Sequence, residues 1–338
     1  MKAVGFFRSH PIDHPEALLD LDLPEPVPGP HDLLVRVAAV SVNPADAKIR
    51  SRSARDARRE TARVPGYDAV GEVVAMGEAV TGFAPGDRVW YAGDVTRQGS
   101  DAELQAVDAR ITAHAPKSLD DAAAAALPLT ALTAWEALFD RLEIPMGRAA
   151  PGATLLIIGG AGGVGSIATQ IARQYTGLTV ITTASRPESR AWSLEMGADH
   201  VVDHRNLVAE VRALGFRTVD YIFNTADTAG HWEAMVELIR PQGRICGIVE
   251  HDGGIDLSRL QGKSAGFVWE WMFTRPVCQT ADIARQGEIL ATVAAAVDDG
   301  RLKTTLTRRI AGMDAAGIRA AHRAIESGMT IGKIAITR

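Results

Sequence analysis

Two cysteines in 338 residues, Cys246 and Cys278, are too few for a disulfide framework or for a zinc site built from thiolates alone. Their scarcity suits a reducing, cytoplasmic setting better than secretion. Charge of one sign is also scarce. The 36 Lys and Arg against 41 Asp and Glu leave a net −5, too mild to attract nucleic acid or an anionic membrane by bulk charge. The opening MKAVGFFRSH has no apolar signal core. The one long uncharged stretch, Ala149 to Ala172, is interrupted by Pro151 and six glycines, so no membrane span is expected. The histidines, His200 and His204 included, show neither HExxH nor Cys/His spacing, and no metal is expected.

What is present is ordinary globular composition, 46% hydrophobic and 23% charged, at a length that favours about two domains. The first 115 residues hold short strand-like runs such as LLVRVAAVSV (33–42) and GEVVAMG (71–77), separated by turn chemistry. Ser118 with Asp121 forms a capping-box pattern before the alanine run 122–126, and a helical stretch follows over 129–142. From Ala153 apolar strand-like runs alternate with amphipathic helical ones, a βαβαβ series that implies a doubly wound parallel sheet. Helix is expected again over 281–300 and 314–328, and strand over 304–310 and 333–338.

Gly160, Gly162 and Gly165 fit GxGxxG, and they follow the apolar LLIIG and open VGSIATQIARQ. In that context the backbone amides of Gly162, Gly163, Val164 and Gly165 are expected to cradle a pyrophosphate at a helix N-terminus. An NAD-specific site places an acid about 20 residues after the loop, at the end of the second strand. This chain has Ser185 and Arg186 there, a hydroxyl and a guanidinium that suit a 2'-phosphate, so NADPH is the expected cofactor. The plainer alternative makes Ser185 a helix cap and Arg186 a solvated residue. Asn224 and Thr225 end the fourth strand, and Ile248 and Val249 the fifth. Both pairs are expected to line the dinucleotide cleft, with packing as the alternative for the two aliphatics.

With SVNPADAKIR (41–50), PGYDAVGEVVAMGEAVTGFAPGDRVWYAG (65–93), LPLTALTAWEALFDRL (127–142), IIGGAGGVGSIATQIARQ (157–174), TASRPESR (183–190) and MFTRPVCQTAD (272–282), the chain resembles the medium-chain dehydrogenase/reductase superfamily. The likeness is to its quinone oxidoreductase-like branch, often called zinc-type alcohol dehydrogenase-like proteins, and it covers essentially the whole chain. The resemblance implies an α/β protein with a mostly-β GroES-like catalytic domain over 1–125 and 273–338. A Rossmann NADP-binding domain is implied over 126–272, with the active site in the cleft. It implies a homodimer through Rossmann strands, with GFVWEWMF (266–273) offering Trp269, Trp271 and Phe273 alternately on one face. The alternative is that this run walls an internal core.

The family's catalytic zinc ligands match Asn43, Tyr67 and a position near Leu129, none of them a credible ligand set, and the four-cysteine structural loop is missing after Trp90. Without zinc to polarise an alcohol, the resemblance points to acceptors that are already electrophilic, a quinone or an α,β-unsaturated carbonyl, reduced by hydride from NADPH. Two other readings stand beside it: an NADP-dependent alcohol dehydrogenase, and a non-catalytic protein that binds NADPH or RNA.

By resemblance Asn43 lies beside the nicotinamide ribose, Thr130 near the cofactor phosphates or nicotinamide, His204 against the adenosine and Lys333 near the cofactor. Their alternatives are a helix cap, a buried hydroxyl, a surface histidine and a solvated strand-edge lysine. Tyr67 is expected to face the substrate as hydrogen-bond donor or stacking ring, so Asn43 and Tyr67 are the catalytic candidates. Asp46 and Asp68 accompany them without the geometry of a general acid. The arginine-rich run 50–63 is expected to be a solvated helix or loop.

Overall fold

In the computed structural model, residues 1–147 and 152–338 are described. The start of the uncharged stretch, from Ala149 through Pro151, lies outside the described residues. The chain divides into two compact units, 1–129 with 273–338, and 130–272. The first boundary falls after Leu129 rather than at 125/126, because the Leu129 amide donates to the Asp68 carboxylate at 2.7 Å and belongs to the first unit.

The second unit is a six-stranded, wholly parallel sheet in the order His200–Val202, Thr179–Thr183, Thr154–Ile158, Val219–Asn224, Ile239–Gly247, Gly266–Trp269. In chain order that is 3-2-1-4-5-6, the dinucleotide-binding arrangement of doubly wound sheets. The central strand Thr154–Ile158 is buried along its whole length, as expected of a strand covered on both faces. Leu156, Ile158, Ile181, Ile222 and Ile245 share one core with Trp232 and Met235 from the helix Thr228–Leu238.

The first unit contains a seven-stranded sheet built mainly of antiparallel pairs, six strands along its path and Leu104–Asp108 attached to Asp32–Ser41. The long strand Asp32–Ser41 pairs on one side with Ala69–Met76 and on the other with Lys333–Thr337, so the last strand of the chain is built into the N-terminal sheet. Val35, Val37, Val40, Val73, Ile318, Ile334 and Ile336 lie in its main core.

Several local expectations are corrected. The helix Asp121–Ala125 is capped by Asp120, whose side chain accepts from the Ala123 amide, and not by Ser118. The strand beginning at Gly266 stops at Trp269, so Trp269, Trp271 and Phe273 do not share one strand face. The two tryptophans are exposed and Phe273 is buried. The segment Asp121–Arg141 is long and apolar enough to cross a membrane, but 94% of its apolar window is buried inside the protein, as in a core helix.

Candidate functional site

In the second unit the apolar strand Thr154–Ile158 runs into Gly159, whose φ of +89° suits glycine, and the helix Gly163–Tyr175 starts from Gly162. Two motif glycines are required by packing. A Cβ on Gly160 would stand 2.5 Å from the Thr182 Cβ, and one on Gly165 would stand 2.2 Å from the Gly159 carbonyl oxygen. Gly162 is different: its nearest neighbour would be the Gly159 oxygen at 3.6 Å, an ordinary contact. The chain itself therefore has no use for the missing side chain at Gly162. The amides of Gly163, Val164 and Gly165 head a helix with no side-chain cap, and the first-turn N–H groups of a helix have no intrahelical acceptor. This cradle fits a pyrophosphate.

The remaining second-unit candidates, Thr130 apart, fall at the carboxyl ends of the parallel strands. Ser185 and Arg186 follow Thr179–Thr183 and are half-buried. Arg186, not Ser185, is the N-cap residue of the helix Pro187–Glu195, and its amide donates to the Ser189 hydroxyl. His204 is exposed just after His200–Val202, with its ring edge-on to His231. Asn224 is fully buried and pins the next turn, accepting from the Ala226 amide and donating to the Thr228 hydroxyl. The Thr225 hydroxyl donates to the Ile158 carbonyl at 2.8 Å. Ile248 and Val249 are half-buried beyond Ile239–Gly247. Thr130 is buried in the helix Pro128–Trp135.

The first-unit candidates meet at a buried carboxylate that sequence reasoning underrated. Asp68 Oδ2 accepts from the Ser41 hydroxyl at 2.7 Å, from Asn43 Nδ2 at 2.8 Å and from Lys333 Nζ at 2.9 Å. Its Oδ1 accepts from the Leu129 amide. Lys333 also donates to the Val42 carbonyl at 2.8 Å and to Asn43 Oδ1 at 2.6 Å. An ammonium has three N–H donors, and all three are spent within the first unit. Lys333 is thus neither a solvated lysine nor a donor with capacity left for a phosphate; it holds Asn43 and Asp68. Asn43 is also the N-cap residue of the helix Pro44–Arg52, its amide donating to the Asp46 carboxylate at 2.6 Å. With the side-chain amide committed at both ends, Asn43 acts as a positioning residue.

Tyr67 is only 1% exposed, its ring edge-on to Phe273 and its phenol oxygen accepting from Arg63 Nη2 at 2.9 Å. Burial pushes its pKa up to about 12 against the pull of Arg63, so the phenol keeps its proton at ordinary pH. Asp46 is pushed up to about 7 by burial, the amide of Asn43 and the charge of Lys333 opposing. Asp101 is raised well above the carboxylate range by burial and then by Asp46. The arginine run is not uniformly solvated. Arg50 is buried and donates to the His10 carbonyl and to Glu326, and Arg63 serves Tyr67, while Arg52, Arg55, Arg58 and Arg59 are exposed.

Zinc does not fit the three positions aligned with its usual ligands. Asn43 Oδ1 is taken by an ammonium, Tyr67 is a phenol held neutral by burial, and Leu129 has no donor side chain.

Residues 29–116 match the alcohol dehydrogenase GroES-like domain, and residues 196–336 match the zinc-binding dehydrogenase domain. A zinc-type alcohol dehydrogenase-like protein of Staphylococcus epidermidis is 42% identical over 338 residues, 99% of each chain. A putative zinc-dependent alcohol dehydrogenase from Rhizobium etli superposes with a TM-score of 0.94 at 49% identity, covering 100% of this chain and 98% of that one. Mycobacterial Rv1454c complexed with NADPH superposes at 0.83 with 28% identity, each chain covered completely. The quinone oxidoreductase of Coxiella burnetii superposes at 0.80 with 25% identity over 100% of this chain and 99% of that one.

Proposed function

Since the chain belongs to the medium-chain dehydrogenase/reductase superfamily, in its quinone oxidoreductase-like branch, and is an oxidoreductase by that membership, we propose that it reduces a quinone or an α,β-unsaturated carbonyl with NADPH and without catalytic zinc. The single observation that carries this reading is the first-unit donor set. Where the family's metal would polarise a substrate oxygen, the chain has a neutral phenol and an amide locked by a lysine. A substrate that is already electrophilic needs no such metal.

NADPH, when bound, supplies the hydride. The second unit's loop holds its pyrophosphate on the Gly163–Gly165 amides, the Gly162 amide being spent on the Gly159 carbonyl, and Ser185 and Arg186 take the 2'-phosphate. In the first unit Lys333 and Asp68 fix Asn43, and the Tyr67 O–H donates to the substrate oxygen as that oxygen gains charge, with Arg63 steadying the phenol. In this reading the protein works in the cytoplasm, as its scarcity of cysteine suits, and as a homodimer, a state supported by the exposed Trp269 on the last strand of the parallel sheet and the exposed Trp271 just beyond it.

The test is NADPH and NADH consumption with a panel of quinones and alkenals, with alcohol oxidation and metal analysis alongside. Turnover of quinones or enals with NADPH by metal-free protein supports the proposal. Alcohol oxidation that depends on zinc would overturn it.

A further inference from the structure

We propose that His10, His14 and Glu16 form a binding site for a zinc-type divalent cation, Zn(II), Ni(II) or Cu(II), on the first unit and apart from every residue assigned above to cofactor or substrate. Among the described residues they are the group of three His, Cys, Asp or Glu side chains whose ligand atoms come together, one atom from each lying within 4.8 Å of the other two. Two imidazoles and one carboxylate are the donor chemistry of borderline first-row ions, whereas Mg(II) and Ca(II) take oxygen ligands. The three ligands leave a position for water, as in open zinc sites.

The segment that carries them is fastened at several points. The Ser9 amide donates to the Ala54 carbonyl, and the Ala54 amide returns to the Ser9 hydroxyl at 3.0 Å. The buried Arg50 guanidinium holds the His10 carbonyl. The His14 amide donates to the Pro11 carbonyl and the Ala17 amide to the His14 carbonyl, each at 3.0 Å, so the chain turns back on itself between the two histidines and beyond them. Arg323 pairs with Asp13 at 2.7 Å. The result is two imidazole rings stacked nearly parallel, with centroids 3.9 Å apart, and Glu16 Oε2 at 3.9 Å from His10 Nε2.

Bringing these atoms to the ~2.0–2.2 Å bonds of a zinc centre asks the exposed Glu16 side chain to swing in and the stacked rings to turn out of their parallel planes, because the lone pair of each ring nitrogen lies in its own ring plane. His14 Nδ1 now accepts from the Glu16 amide at 3.1 Å. The neutral ring binds a cation through Nδ1 on releasing that amide, or through Nε2 once its proton has moved to Nδ1, which releases the amide as well.

The experiment uses the full chain, stripped with a chelator and dialysed, and titrated calorimetrically with ZnCl2. The expected result is one saturable equivalent, with His14→Gln weakening affinity by at least about tenfold, since even an outer partner of a metal ligand is worth roughly 10- to 100-fold. Glu16→Gln should weaken it too, with NADPH binding unchanged in both variants as the check on folding. Cu(II) electron paramagnetic resonance on the unsubstituted chain gives a readout independent of the variants, with nitrogen couplings from two imidazoles expected. Absence of a saturable equivalent, equal affinity in a folded His14→Gln, or couplings from fewer than two imidazoles would overturn the site. None of these outcomes bears on quinone or enal reduction, which is measured separately.

Discussion

Lys333 shows how one buried cation organises its surroundings. Its side chain and that of Asp68 are almost wholly inaccessible, 3% and 0% exposed, and they are joined at 2.9 Å. Replacing Lys333 by Met leaves a buried carboxylate short of its countercharge and frees one end of Asn43. Such a loss costs about 3–5 kcal/mol, and urea unfolding should read it. Replacing both partners, with Lys333→Met and Asp68→Leu, should cost less than the two single changes summed. A second residue-scale expectation concerns pH. Asp46, pushed up to about 7, and Asp101, higher than an ordinary carboxyl, hold protons in the folded protein that the unfolded chain releases near 3.8. Above that pH the folded state therefore binds more protons than the unfolded one, and their contribution, complete below 3.8, drains away as pH rises toward about 7. His322 on the same cavity wall runs the other way: held neutral down to about 3 by burial, it costs stability as pH falls below 6.5. Asp101→Asn removes one of the two carboxyls and leaves His322 in place. Its melting temperature relative to the parent protein should rise as pH climbs above 3.8, and a constant difference would contradict the assignment. Tyr67→Phe should lower kcat by about 100-fold with little change in KM if its O–H serves the oxygen that gains charge, as steady-state kinetics with a quinone would show.

Among the elements, the glycine loop separates a requirement of the fold from a requirement of a ligand. Gly165→Ala drives a methyl into the Gly159 carbonyl and should destabilise the protein by the ~1–3 kcal/mol typical of overpacking. Gly162→Ala meets only a 3.6 Å contact at a φ of −73°, so thermal stability should barely move. NADPH affinity measured by fluorescence should nonetheless fall, because the methyl occupies the approach to the pyrophosphate. If affinity is unchanged, the cradle is misassigned. This loop was legible in the sequence because strand, glycines and helix are contiguous, and each carries its own periodicity. The 333–337 strand was equally legible as a strand, but not its partners. Asn43, Asp68 and Lys333 are brought together over separations of 265 and 290 positions, which no local pattern encodes. Arg63 was visible only as one charge in a basic run, with nothing in its spacing to mark it as the partner of Tyr67. The helix cap at Asp120 was missed for a simpler reason: Ser118 and Asp120 are both good capping residues, and it is Asp120 whose side chain meets the Ala123 amide.

At the scale of the whole molecule, the parallel order of the second unit follows from its alternating strands and helices, whereas the return of 273–338 to the first unit had no signature in composition or periodicity. Resemblance to a family supplied it. The proposed homodimer gives a test at this scale. Trp269, on the last strand of the parallel sheet, is 46% exposed, and Trp269→Lys should shift light-scattering mass from dimer to monomer. The placement of that closing strand also bears on how the chain is made. Residues 130–272 form a continuous segment and can collapse as soon as they leave the ribosome, but the sheet begun by residues 1–129 lacks two strands, Leu306–Ala311 and Lys333–Thr337, until those residues have been made. Throughout that interval Asp68 lacks the Lys333 ammonium, so the first unit matures only after the second has been made, and the nascent polypeptide carries an open sheet edge while residues 130–332 are added.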